Sequence, residues 1–141
     1  MLAPLANHAV TYPHLLEFKP TSGGGRVLWL ADKGGAGTHA FSVQDATVTG
    51  PTLYFGTLPI GTWQTLTWAV RDGGIAASLN GAAVLTAAMG ALPPVMSWVG
   101  LLGNAIAAGG NTANAEMPFY HSWNGEISND NLRALSARFA A

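Results

Sequence analysis

The chain has 141 residues, no cysteine, and six basic against seven acidic side chains, for a formal net charge of −1. That length fits one domain whose core can stand without disulfides, so residues 1–141 are read as a single domain. The charge balance offers no basic face for a phosphate backbone, which argues against a nucleic-acid partner, and the missing thiols remove cysteine chemistry.

In chain order, residues 1–14 read as an arm or an edge strand, anchored by Leu2, Leu5, Val10 and Tyr12. The opening MLAPLANHAVTYPHL lacks the basic segment of a secretory signal. The expectation is work inside the cell, or export by another route such as release of virus particles on lysis. Leu15, Leu16 and Phe18 form an apolar run closed by Pro20. Arg26–Ala31 reads as a strand with Val27 and Trp29 on one face and Leu28 and Leu30 on the other. Ala40–Asp45 alternates, with Phe41 and Val43 together. Thr47–Thr49 and Thr52–Phe55 suggest a strand around a Gly50-Pro51 turn.

Thr62–Val70 has the clearest period of two: Gln64, Leu66, Trp68 and Val70 against Trp63, Thr65, Thr67 and Ala69. Asp72-Gly73-Gly74 turns it. Ile75–Leu79, Asn80-Gly81 and Ala82–Leu85 make a hairpin, since Asn and Gly both tolerate the positive φ of a type I′ turn. Thr86–Pro94 is a crossing. Val95–Leu102 is apolar on both faces except at Ser97, which predicts a central strand. A Gly/Asn/Ala loop over 103–116 leads to a strand at Met117–Trp123.

The end of the chain changes character. Ser128 or Asn129 caps a short helix, with Asp130 in the first turn and Arg138 near the last. Leu132, Leu135 and Phe139 form its apolar stripe, which is expected to plug an apolar opening at one end of the sheets. Short strands at regular turns, with no βαβ spacing, predict an all-β antiparallel sandwich carrying this helix.

No charged side chain occurs from Gly73 to Ala115. Pro93-Pro94, Asn80, Ser97, Asn104 and recurrent Gly interrupt the stretch, and its apolar pieces are too short for a membrane-spanning helix. Apolar strands joined by uncharged loops account for it. Where charge is missing, water is not the only candidate for cover, and contiguous apolar surface marks interfaces. A homo-oligomer, or docking onto a larger assembly, is therefore expected, with the loops 86–94 and 103–115 as the covered surface.

The residues give little purchase to catalysis. Glycoside hydrolysis needs two carboxylates about 5 Å apart, or somewhat more. The acids Glu17, Asp32, Asp45, Asp72, Glu116, Glu126 and Asp130 form no such cluster and read as turns, caps and rim charges. His8, His14, His39 and His121 are scattered, with His39 and His121 the pair to examine for metal. Calcium takes several oxygens; Asp32 with residues 33–37, or Asn111 and Asn114 with Glu116, could contribute to a site, so no cofactor is expected other than calcium as an open alternative. The chain is read as not an enzyme.

Five tryptophans suit a binder better, because a sugar ring stacks on an indole face while amides hold its hydroxyls. Trp68 and Trp98 are assigned to the core. Trp29, Trp63, Trp98 and Trp123 are weighed as platforms. The ligand-binding set is Trp123, Asn124, Tyr120, His121, Trp63, Asn111 and Asn114.

The order Trp63 to Thr67, Asp72-Gly73-Gly74, Leu79-Asn80-Gly81, Val99-Gly100, Gly103, Phe119, Gly125-Glu126-Ile127 and Leu135-Ser136 resembles the laminin G-like, concanavalin A-like lectin and glucanase jelly rolls. The likeness covers residues 15–139 and is best over 60–139. It implies two curved sheets that bind sugar or protein, with calcium in some members and glycan hydrolysis in others. It also implies a place among small phage tail and capsid appendages. An opening strand is short for that family, which leaves an edge to come from elsewhere, including a neighbouring subunit. The function expected is a non-catalytic module that recognises a cell-surface glycan or a protein partner. The alternatives are a structural assembly or decoration protein of the same fold, and a glycan-active hydrolase or lyase.

Overall fold

A computed structural model of the protein describes residues 3–4, 14–21, 24–30, 39–45, 47, 49–57, 62–90, 96–101, 115–117, 120–121 and 125–138. In chain order the elements are β1 (Ala3–Pro4), β2 (His14–Lys19), β3 (Arg26–Leu30), β4 (His39–Gln44), β5 (Thr52–Gly56), β6 (Leu66–Arg71), β7 (Gly74–Leu79), β8 (Leu85–Ala88), β9 (Trp98–Leu101), β10 (Ala115–Glu116) and α1 (Asn129–Arg138). A five-stranded sheet runs β5-β4-β3-β2-β9 and a three-stranded sheet runs β6-β7-β8, while β1 pairs with β10. Every pairing is antiparallel. The expectation of two antiparallel sheets and a C-terminal helix holds.

The period of two decides which side chains meet. Cross-strand partners share a face, so Phe18 with Val27, Val27 with Val43, and Trp29 with Phe41 and then Leu53 line the inner face of the large sheet. From the small sheet come Leu66, Trp68 and Val70 of β6 and Ile75, Ala77 and Leu79 of β7. Trp68 stacks on Phe41 at 5.2 Å between ring centroids and meets Phe18 edge-on at 5.6 Å. It joins the two sheets, and its place in the core agrees with the sequence reading. Trp29, weighed as a sugar platform, is 4 % exposed and belongs to this core. A register shift between His14 and Leu16 adds one residue to β2. That bulge lets both Leu15 and Leu16 reach the same cluster.

The hairpin forms as its Asn-Gly signal requires. Asn80 and Gly81 take φ of 51° and 76°, and Ala82 N–H donates to Leu79 O at 2.9 Å. Beyond the turn Ala77 faces Leu85, one residue out of step with a two-residue loop. The second arm therefore carries a bulge. β8 then occupies Leu85–Ala88, where a crossing was expected. The last predicted strand is also corrected. Among the described residues of Met117–Trp123, Met117, Tyr120 and His121 lie outside any strand, and Met117 and Tyr120 pack on the core.

The helix does not close an end of the sandwich. It lies on the outer face of the small sheet, against β6 and β7, so that sheet is covered on both sides. Its buried residues are Leu132 and Ser136, one turn apart, whereas Leu135 is only half-buried and Phe139 lies outside the described residues. The reason is the polar outer face of the hairpin. Ser78 Oγ and Ser136 Oγ share a 2.7 Å hydrogen bond, Thr67 Oγ1 donates to Leu132 O at 2.5 Å, and Arg133 Nε donates to Gly81 O at 3.0 Å. Ser128 is the cap, accepting Asn131 N–H at 3.2 Å. Asn129 instead takes Arg71 at 2.6 Å.

Residues 47 and 49 belong to a turn rather than a strand. Asp45 Oδ1 accepts the Thr47 N–H at 2.8 Å, the Thr47 hydroxyl at 2.7 Å and the Thr49 N–H at 3.2 Å. Asp45 N–H donates to Thr49 O at 2.8 Å. Gly50 is needed here because a Cβ would stand 2.0 Å from Val43 O. The Thr47 hydroxyl, followed by the backbone and Thr49 donors, holds the Asp45 carboxyl below its ordinary value of 3.8. A lowered carboxyl stabilises the fold above its unfolded-state value, and that contribution vanishes as pH falls through the folded-state value. Asp45→Ala is therefore expected to lower the urea midpoint at neutral pH. The gap to wild type should close progressively below about pH 4. A gap independent of pH would place the effect in the turn's neutral hydrogen bonds.

Candidate functional site

The described surface is least protected along β9. Val99 pairs with Phe18 and Leu101 with Leu16, so both lie on the inner face that elsewhere forms core. Leu16 is 3 % exposed, yet Val99 and Leu101 are 50 % and 51 % exposed. Among the described residues five strands of one sheet face three of the other. β8 packs over β5, the far edge of the large sheet, and the small sheet ends before it reaches β9. Among the described residues β9 has no second neighbour. This corrects the expected central strand: its inner face is apolar and open, at an edge.

Tyr120 borders this flank. Its ring lies 5.7 Å from Phe18 and packs on the cluster of Leu15, Leu16, Trp29 and Leu79. Its hydroxyl is buried without a hydrogen-bond partner. The ring face is therefore largely taken up by the core. His121 next to it is exposed, and Trp63 stands half-buried just before β6. Trp123, Asn124, Asn111 and Asn114 lie outside the described residues, as do Asp32–Gly37 and the side chains of Trp98 and Glu116. Of the expected ligand set, Tyr120 thus packs on Phe18, the cross-strand partner of Val99, and His121 follows it at an exposed position.

The sequence reading missed the charged cluster on the opposite face of the large sheet, on β2 and β3. Glu17 was expected among turns, caps and rim charges. It sits in the middle of β2 and is 1 % exposed. Its carboxylate lies 3.6 Å from His14 Nδ1 and accepts from Arg26 Nη1 at 3.4 Å. Its cross-strand partners are Leu28 and Gly100. Ionised carboxylates survive burial only with such partners. The signal was present: an acid inside LLEFK, a histidine three residues before it, and an arginine opening the next strand. Through Arg26 this carboxylate ties β2 to β3. His39 is buried and His121 exposed, and among the described residues no group of three or more potential metal ligands forms.

A shallow groove of about 430 Å³ runs along the outer side of α1, lined by Glu126, Ile127, Asn131, Ala134, Leu135 and Arg138. It accounts for the half-exposed state of Leu135. Among the described residues no helix is long and apolar enough to cross a membrane. No family model, curated protein or solved structure matches the chain.

Proposed function

We propose that the protein is a non-catalytic binding module that works by surface contact, and that its contact surface is the β9 flank. The observation that carries this reading is the pair Val99 and Leu101, half-exposed on the core-facing side of an edge strand. Natural edge strands are blunted by Lys, Pro or cover; WVGL has no charge and no proline. Aliphatic side chains beside an unpaired backbone suit strand addition by another polypeptide. They suit a sugar poorly, since sugars stack on aromatic faces, and the Tyr120 ring is engaged by Phe18. The concanavalin A-like jelly-roll affinity belongs with this proposal. Two antiparallel layers and the return of β9 beside β2 support it. An appendage of a phage-like particle, assembled through such edges, is the setting that fits.

The occupant is a second copy of this chain. A two-fold axis through Gly100 sets Val99 of each copy opposite Leu101 of the other and keeps both inner faces on one side. A net charge of −1 gives little repulsion between copies. The short edge suits transient association. Sedimentation velocity should show wild type passing from monomer to dimer at roughly micromolar to tens of micromolar concentration. Leu101→Lys should weaken this by about tenfold or more with unchanged thermal unfolding. A wild type that stays monomeric at all concentrations, or a variant that dimerises equally well, would overturn the assignment. Specific signal on a glycan array would return the reading to Tyr120 and His121.

A further inference from the structure

We infer that Asn80-Gly81 is a deamidation site held in check by the folded hairpin, with α1 as its guard. The reaction begins when Gly81 N loses its proton and bonds to Asn80 Cγ. The Cγ–Nδ2 bond breaks and ammonia leaves with the proton. Water then opens the cyclic imide at either carbonyl, giving aspartate or isoaspartate. One water is consumed, one ammonia is released, and nothing is oxidised or reduced. Glycine on the C-terminal side favours the attack because it has no side chain to shield its nitrogen.

Asn80 is exposed, so solvent reaches it. Each group the attack requires is nevertheless engaged. Asn80 Oδ1 accepts Thr65 N–H at 2.7 Å, and Asn80 Nδ2 donates to Gln64 Oε1, whose residue is 1 % exposed. Gly81 N–H donates to Ser136 Oγ at 2.8 Å, and Gly81 O accepts from Arg133 Nε at 3.0 Å. The helix sits close enough that a Cβ on Gly81 would lie 2.6 Å from Ala137 Cβ. For the reaction to start, the Asn80 amide must leave Gln64 and Thr65, and the Gly81 nitrogen must leave Ser136 of α1. The second event requires the hairpin and the helix to part, so the rate is the intrinsic rate multiplied by the open fraction.

The products do not restore the closed state. Aspartate at position 80 loses the donor to Gln64. Isoaspartate inserts a carbon into the backbone of a two-residue turn whose dihedral angles leave no room for it. Each conversion therefore leaves a permanent chemical mark of a moment when α1 was detached.

The test follows isoaspartate by fragment mass spectrometry during incubation at mildly alkaline pH. Native protein is compared with the same chain unfolded in urea. Asn124-Gly125, the same dipeptide elsewhere in the chain, is read separately in each sample. In the native protein Asn80 should convert about tenfold or more slowly than in the unfolded chain. Ser136→Ala should speed native conversion several-fold with an unchanged far-UV spectrum. If that variant does not fold, Arg133→Ala, at an exposed position, serves the same purpose. Equal native and unfolded rates at Asn80 would overturn the inference. So would a folded variant that converts no faster than wild type.

Discussion

Phe41→Ala is expected to lower the free energy of unfolding by about 3–5 kcal/mol, the largest loss from any single truncation considered. Phe41 is 0 % exposed and stacks on Trp68. Removing its ring leaves a cavity between the two sheets at the point where they are joined, and the strands on either side are held by their own ladders and cannot collapse into it. The loss should appear as a lower urea midpoint with an unchanged slope. Tyr54→Ala is the control. Tyr54 is 54 % exposed on an edge strand, and its truncation should stay within about 0.5 kcal/mol of wild type. Comparable losses at the two positions would mean that the inter-sheet core does not hold the molecule together as described.

Glu17→Ala should cost about 3 kcal/mol, through a different mechanism. The substitution removes little apolar volume. It leaves the His14 imidazole, 2 % exposed, and the Arg26 guanidinium without the carboxylate that faces both. Arg26 is partly exposed and can turn to water, which keeps the loss at the lower end of the range for broken buried pairs. Glu17→Leu should recover part of it, because leucine fills the space that alanine leaves empty, while His14 and Arg26 lose the carboxylate in both variants. Equilibrium unfolding of both variants separates the contributions. Equal losses would indicate that charge pairing matters more than filled space on that face.

The strands were legible wherever one face alternates with the other. Arg26 to Leu30, Phe41 with Val43, and Leu66 to Val70 lie where the period of two puts them, and the Asn-Gly turn is in place. What failed did so for identifiable reasons. The WVGL strand is apolar on both faces, and such a pattern reports affinity for cover without reporting whether cover exists. Only the strand counts of the two sheets show that Val99 and Leu101 lack it. The helix stripe was read from its large apolar side chains, Leu132, Leu135 and Phe139. Ser136, a hydroxyl among apolar neighbours, is the centre of the contact, because the sheet beneath offers Ser78 and the Gly81 N–H rather than an apolar opening. The sequence also predicted a strand running through Tyr120 and His121. Both described residues lie outside any strand, and the Tyr120 ring packs against Phe18.

The pairing of β2 with β9 also governs the order of events during synthesis. Leu16 and Leu101 are partners across about 85 intervening positions. β2 to β5 form a meander from consecutive segments and can assemble as soon as they leave the ribosome. One flank of β2 then waits for β9 through several seconds of elongation, with its backbone donors and acceptors free to pair with any passing strand. The nascent chain thus carries a temporary sticky edge, and its yield in the cell should depend on translation speed and on chaperone supply over that interval.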